Sequence, residues 1–133
     1  MPTVMAQVLA VLSAPLLYGA LCVPLTGALL AQFPEHINAL GGTHNPNLVF
    51  AVEVMQLLTL FLCGAVVQWI AGRSDATYRP LIIATLIMLG IGITVQYQYW
   101  SAMPTWHHYV FFLLIVVAMP AGALWVRRPG PSN

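Results

Sequence analysis

Residues 47–70 of this chain read NLVFAVEVMQLLTLFLCGAVVQWI, an apolar segment that contains one acidic residue, Glu53. At about 1.5 Å of rise per residue, a helix over this segment can cross the roughly 30 Å hydrocarbon core of a bilayer. A carboxylate at that depth costs on the order of 3 kcal/mol on insertion scales, so it calls for a structural or functional reason. The segment therefore predicts a membrane-spanning helix in which Glu53 is the first candidate functional residue.

The composition of the whole chain is that of an integral membrane protein. Of its 133 residues, 60% are hydrophobic and 5% are charged, whereas a soluble domain has about 25% charged residues. The chain has no lysine, and its formal net charge is +1. This charge balance argues against a nucleic-acid partner, and the lipid bilayer is the expected environment.

Four segments are apolar enough to span a membrane, at about 8–33, 47–70, 80–99 and 106–126. The sequence thus predicts an all-α, polytopic protein with four transmembrane helices in one compact bundle. We expect this domain to occupy residues 1–126, followed by a short tail at 127–133. Asn45 before Pro46 is a predicted helix cap, and Thr105 is a second candidate cap.

The arginines predict the orientation of the bundle. They lie in the connection between the second and third spans or near the C-terminus, at Arg73, Arg79, Arg127 and Arg128. The positive-inside rule then places both termini in the cytoplasm, and a bacterial cytoplasmic membrane is the expected location. The N-terminal segment lacks the positive region of a signal peptide, so we interpret it as a retained first span.

The histidines lie at the opposite side from most of the arginines. His36, His44, His107 and His108 all fall in or beside the two predicted outer connections. At 100° per residue, Glu53 and Gln56 share a helix face with Leu60, and polar residues in a span turn toward the bundle interior. Since the spans contain no lysine or arginine, Glu53 is expected to lack a charged partner, and burial favours its protonated form.

These positions define a candidate site in the outer half of the bundle. The predicted catalytic residues are Glu53, Gln56, Gln96 and Tyr99, helped by one histidine. The predicted substrate-binding residues are Tyr18, Phe50, Trp100, Trp106, His107 and His108. No metal site is predicted, and the two cysteines, Cys22 and Cys63, lie at different depths, so no disulfide is expected.

Several functions remain open from the sequence. The first is a membrane enzyme that acts on a lipophilic small molecule by non-redox acid–base chemistry, of the isomerase or cyclase type, with protonated Glu53 as general acid. The second is a non-catalytic subunit or assembly factor of a membrane complex. Further alternatives are a haem- or metal-binding protein and a small proton-coupled transporter. A homo-oligomer or a larger membrane complex is expected in each case, because the interior of four helices is narrow.

No cofactor is predicted, because the chain has no phosphate-binding loop, no HExxH motif and no cysteine metal cluster. Haem bound through one outer histidine, His44 or His107, is the cofactor that the sequence leaves open.

Overall fold

The computed structural model describes residues 4–72 and 78–127, and within them the chain forms four α-helices. They are α1 (Val4–Ala31), α2 (Pro46–Ala71), α3 (Arg79–Gln98) and α4 (Thr105–Val126), with one-turn 3-10 helices at Pro34–His36 and Trp100–Ala102. Each α-helix is long and apolar enough to cross a membrane. The predicted all-α architecture with four candidate spans is therefore confirmed. The predicted tail beyond Arg127 and the Arg73 position lie outside the described residues.

The starts of α2 and α4 follow different local chemistry. The Asn45 side chain accepts hydrogen bonds from the backbone N–H groups of Asn47 and Leu48, at 3.1 and 3.3 Å, so the predicted cap is confirmed. The predicted cap by Thr105 is wrong, because Thr105 is itself the first residue of α4 and Pro104 precedes it in an extended conformation. Proline fixes its own φ and has no side-chain oxygen, so this helix begins without a side-chain cap.

The helix α2 is the central element of the bundle. It packs most extensively against α4 and then against α1, whereas α3 packs against α1 and α4. Two glycines allow the close contact between α2 and α4. A Cβ atom at Gly64 would collide with the Met119 carbonyl, and one at Gly122 would collide with the Phe61 carbonyl. This packing brings backbone against backbone, as small residues permit in membrane helices.

The face of α2 that the sequence predicts to turn inward is buried. It consists of Glu53, Gln56, Leu60, Gly64, Val67 and Gln68. The opposite face carries exposed apolar side chains, among them Leu58, Leu62 and Trp69. This distribution is expected for a helix that faces lipid or a partner on one side and the bundle on the other.

Two connections meet at one end of the bundle, which we call the histidine end because all four histidines lie there. The Asn38 side chain joins them, since its Nδ2 donates to the Ala102 carbonyl at 2.7 Å and its Oδ1 accepts from the Leu40 and Gly42 N–H groups. Gly42 lies so close to Ala102 that a side chain there would collide with it. The two connections thereby form one cover over the start of α4.

Candidate functional site

A buried Glu53–His107 pair lies at the histidine end of the α2–α4 interface. The Glu53 Oε1 atom contacts His107 Nδ1, and the two residues are 7% and 3% exposed. Glu53 lies two turns into α2, and His107 lies in the first turn of α4. Because both helices begin at this end and pack side by side, the two side chains meet. A carboxylate removed from water needs such a hydrogen-bonding partner.

The expected lack of a charged partner for Glu53 is corrected by the structure. Arg79 and Arg127 lie at the other end of the bundle, but an imidazole serves the same purpose because it can donate a hydrogen bond from Nδ1. The single predicted helper histidine is therefore His107. The sequence predicts His107 as a substrate-binding residue, and the structure places it directly against Glu53.

Gln56 and Tyr18 extend this pair toward the centre of the bundle. Gln56 lies one helical turn beyond Glu53 on the same buried face, and its side chain interacts with the Tyr18 phenol of α1. Among the described residues, no hydrogen-bond partner meets Glu53 Oε2 or Gln56 Oε1, although both atoms are buried. An unpaired buried polar atom costs about 1–3 kcal/mol, so these two oxygens mark a position where a donor is expected.

A cavity of about 270 Å³ opens beside the pair, between α1, the first connection and the start of α4. Its polar lining comes from His107, Gln56, Tyr99 and Thr26. The apolar lining comes from Leu30, Leu40, Val52, Ala102 and Met103, together with Gly41 and Gly42. Since Glu53 occupies Nδ1 of His107, Nε2 is the ring nitrogen left for a molecule in the cavity.

His108 belongs to a neighbouring cluster with Gln96 and Trp100. Its Nδ1 contacts Gln96 Oε1, and its Nε2 donates to the Trp100 carbonyl at 2.8 Å. The Trp100 ring stacks on the imidazole, with centroids 4.1 Å apart and 16° between the planes. Both ring nitrogens of this fully buried histidine are thus engaged, so His108 joins the start of α4 to Gln96 and to the Trp100 carbonyl.

The remaining predicted residues are not all brought together. Tyr99 lines the cavity, although its side chain is half exposed. Phe50 is 67% exposed and Trp106 is 45% exposed, so both lie on the outside of the bundle. Of the aromatic residues predicted at the site, Tyr99 lines the cavity and Tyr18 contacts Gln56.

The part of the site that the two connections supply is not among the positions predicted from the sequence. Gly42, Met103 and Leu40 line the cavity, and Asn38 holds these connections together. The signal in the sequence is Asn38, followed three residues later by the adjacent glycines Gly41 and Gly42. Such residues mark a tight turn, and the turn lies against the site.

No metal-binding cluster is found among residues 4–72 and 78–127, since no three His, Cys, Asp or Glu side chains lie close enough together. His44 is exposed, and its Nε2 lies 3.1 Å from the Ser101 carbonyl. For His107, a carboxylate on Nδ1 is the arrangement that orients a metal-binding imidazole. Haem bound through either histidine therefore remains a prediction.

No family model matches this chain, and no curated protein or solved structure gives a significant match to it. The chemistry of the site must be judged from its own groups. A buried imidazole with a carboxylate on one nitrogen can accept or release a proton at the other nitrogen. A largely apolar cavity next to that nitrogen suits a small lipophilic molecule with one polar end.

Proposed function

We propose that this protein is an integral membrane enzyme that acts on a lipophilic small molecule by non-redox acid–base chemistry, of the isomerase or cyclase type. The observation that supports this proposal most strongly is the buried Glu53–His107 pair, because its His107 lines a mostly apolar cavity. Titratable pairs in such positions are commonly functional.

The proton is exchanged at His107 in this proposal, and Glu53 acts through it. Protonated His107 donates from Nε2 to a double bond or an epoxide oxygen of the substrate, and a neighbouring carbon then loses a proton back to the same site. The substrate gains one proton and loses one, so no electrons are transferred. Glu53 holds the imidazole in one tautomer and stabilises its charged form, and the Tyr99 ring would stabilise a developing cation.

Deuterium transfer tests this proposal without knowledge of the natural substrate. The purified protein in lipid nanodiscs is incubated in deuterium oxide with a panel of terpenoid alkenes, epoxides and unsaturated alcohols. We expect mass spectrometry to detect deuterium on carbon, or a rearranged product, for at least one compound. Glu53→Gln and His107→Gln should each lower that rate by about 100-fold or more, as loss of general acid–base catalysis does.

Glu35→Gln is the matched control, because Glu35 is exposed at the same end of the bundle. It should retain the wild-type rate. Full activity of a folded His107→Gln protein, or no deuterium transfer to any compound of the panel, would count against acid–base catalysis at this site.

We further propose that the histidine end faces outward and that both termini are cytoplasmic, in a bacterial cytoplasmic membrane. Arg79 and Arg127 both lie at the other end of the bundle, where Arg127 packs over the Tyr78 ring at 4.7 Å. Positive charge at one end favours the cytoplasmic side for that end. Substrate would then enter from the outer leaflet.

The alternative function, a subunit of a membrane complex, is supported by α1. Of the four helices, α1 has the smallest buried fraction, since only 17% of its most apolar 18-residue stretch is buried within the bundle. A Cβ atom added at Gly19 or Gly27 would meet no described atom within 4 Å. Small residues on an open helix face allow a second helix to approach closely. Chemical cross-linking in native membranes, followed by mass spectrometry, would identify such a partner or a second copy.

A further inference from the structure

Two buried oxygens beside the cavity point to the kind of molecule that it binds, because Gln56 lines the cavity and Glu53 contacts His107, which also lines it. Glu53 Oε2 and Gln56 Oε1 lie one helical turn apart on one face of α2. Both residues are more than nine-tenths buried, at 7% and 5% exposure. Within the described part of the chain, neither atom has a hydrogen-bond partner. A carboxylate oxygen and an amide oxygen both accept hydrogen bonds.

The chain itself offers little to satisfy these acceptors. It has no lysine, and Arg79 and Arg127 lie at the opposite end of the bundle. His107 uses Nδ1 for the other carboxylate oxygen, Oε1. The Tyr18 phenol shares a hydrogen bond with the Gln56 side chain, and Gln56 Oε1 is left without a partner. A molecule in the cavity can supply a donor to these oxygens.

We propose that the cavity binds a lipophilic molecule whose small head donates hydrogen bonds, such as an amine or an alcohol. The head would reach Glu53 Oε2 and Gln56 Oε1, and the apolar body would lie along Leu30, Val52 and Met103. This names the substrate class of the site and, to that extent, rests on the proposed function. Heads that only accept hydrogen bonds, such as a ketone or a carboxylate, would leave both buried oxygens unpaired.

A matched series of probes tests the preference for a donor. Para-fluorobenzylamine, para-fluorobenzyl alcohol, para-fluoroacetophenone and para-fluorobenzoate share one aromatic body and differ in the head. Fluorine NMR of each probe with protein-loaded nanodiscs, compared with empty nanodiscs, gives a dissociation constant free of lipid partitioning. We expect the amine and the alcohol to bind at least about tenfold more tightly than the ketone and the benzoate, since unpaired polar groups penalise the wrong head.

Two variants test whether the preference for donor heads arises from Glu53 and Gln56. Gln56→Met keeps the length of the side chain and removes the acceptor, and Glu53→Gln replaces one acceptor with a donor. Each should reduce the preference for donor heads by about tenfold. Gln7→Leu is the matched control, because Gln7 lines a separate cavity near the start of α1, and it should keep the preference. Thermal unfolding of each variant confirms that it is folded.

The inference is wrong if the ketone or the benzoate binds as tightly as the amine and the alcohol, if none of the four binds, or if the folded Gln56→Met protein keeps the full preference. Its failure is separable from that of the proposed function. Donor-selective binding without deuterium transfer would support the binding site and contradict the proposed enzymatic activity. Deuterium transfer without donor-selective binding would support the enzymatic activity and contradict the inferred preference for donor heads.

Discussion

At the scale of single residues, Glu53 and His107 depend on each other for burial. Removing one partner leaves the other in a low-dielectric interior without its hydrogen bond, and such losses cost about 3–5 kcal/mol. Replacing both partners with apolar residues of similar size is often nearly neutral. The stability of the bundle should therefore respond less to the double substitution than to either single one.

We predict this pattern for Glu53→Leu, His107→Phe and the double variant. Each single variant should lower the free energy of unfolding by about 3 kcal/mol, and the double variant should recover most of that loss. Reversible unfolding of the protein in mixed detergent micelles gives the four values of the cycle. Purely additive losses would show that the two side chains do not interact energetically.

The same chain provides a control pair. Glu35 Oε1 and His36 Nε2 lie 3.7 Å apart, but the two side chains are 63% and 43% exposed. An exposed ion pair contributes little because water screens it. The cycle built from Glu35→Leu and His36→Phe should therefore give a coupling energy close to zero.

Part of this site could be predicted from single residues and part could not. Glu53 and Gln56 were found because a polar side chain in an apolar run is rare and their spacing places them on one face. The contact with His107 could not be found in this way, because it depends on how α2 and α4 are aligned. Phe50 and Trp106 look like cavity walls by composition, yet they lie outside, since aromatic residues are equally suited to a membrane interface.

At the scale of elements, two glycines, Gly64 and Gly122, allow the close alignment of α2 and α4. We predict that Gly64→Ala lowers the free energy of unfolding by roughly 1–3 kcal/mol, because its Cβ would push the Met119 carbonyl away and separate the helices. The same separation should weaken the Glu53–His107 contact. Unfolding in mixed micelles measures the stability change, and the distance between spin labels on α2 and α4 measures the separation.

Gly90→Ala is the matched control, because a Cβ at Gly90 in α3 meets no described atom within 4 Å. Alanine has the higher helix propensity, by about 1 kcal/mol, so this variant should be as stable as the wild type or slightly more so. A similar effect of both substitutions would show that glycine flexibility, rather than close packing, matters at position 64.

The helices themselves were predictable because hydropathy alone fixes a span of sufficient length. Their ends agree within a few residues, for example Pro46–Ala71 against a predicted 47–70. The packing order was not predictable, because all four helices are apolar and their sequences do not say which faces meet. The cover formed by Asn38 and Ala102 was also hidden, since it joins connections that are far apart in the chain.

At the scale of the whole molecule, the described arginines, Arg79 and Arg127, lie at one end of the bundle and the histidines lie at the other. In a bilayer this separation predicts one orientation, with the arginine end in the cytoplasm and the cavity near the outer leaflet. The proposed substrate would then meet the site without crossing the membrane. An inverted orientation would require the substrate to come from the cytoplasmic leaflet, so topology decides the route of access.

Single serine-to-cysteine variants measure this orientation. Ser101 is exposed at the histidine end, and Ser132 belongs to the tail outside the described residues. In intact cells, a membrane-impermeant maleimide should label Ser101→Cys directly and Ser132→Cys only after lysis. The wild type should stay unlabelled, because Cys22 and Cys63 are buried at 2% and 0% exposure. The reverse labelling pattern would place the cavity on the cytoplasmic side and would move the expected supply of substrate to the inner leaflet.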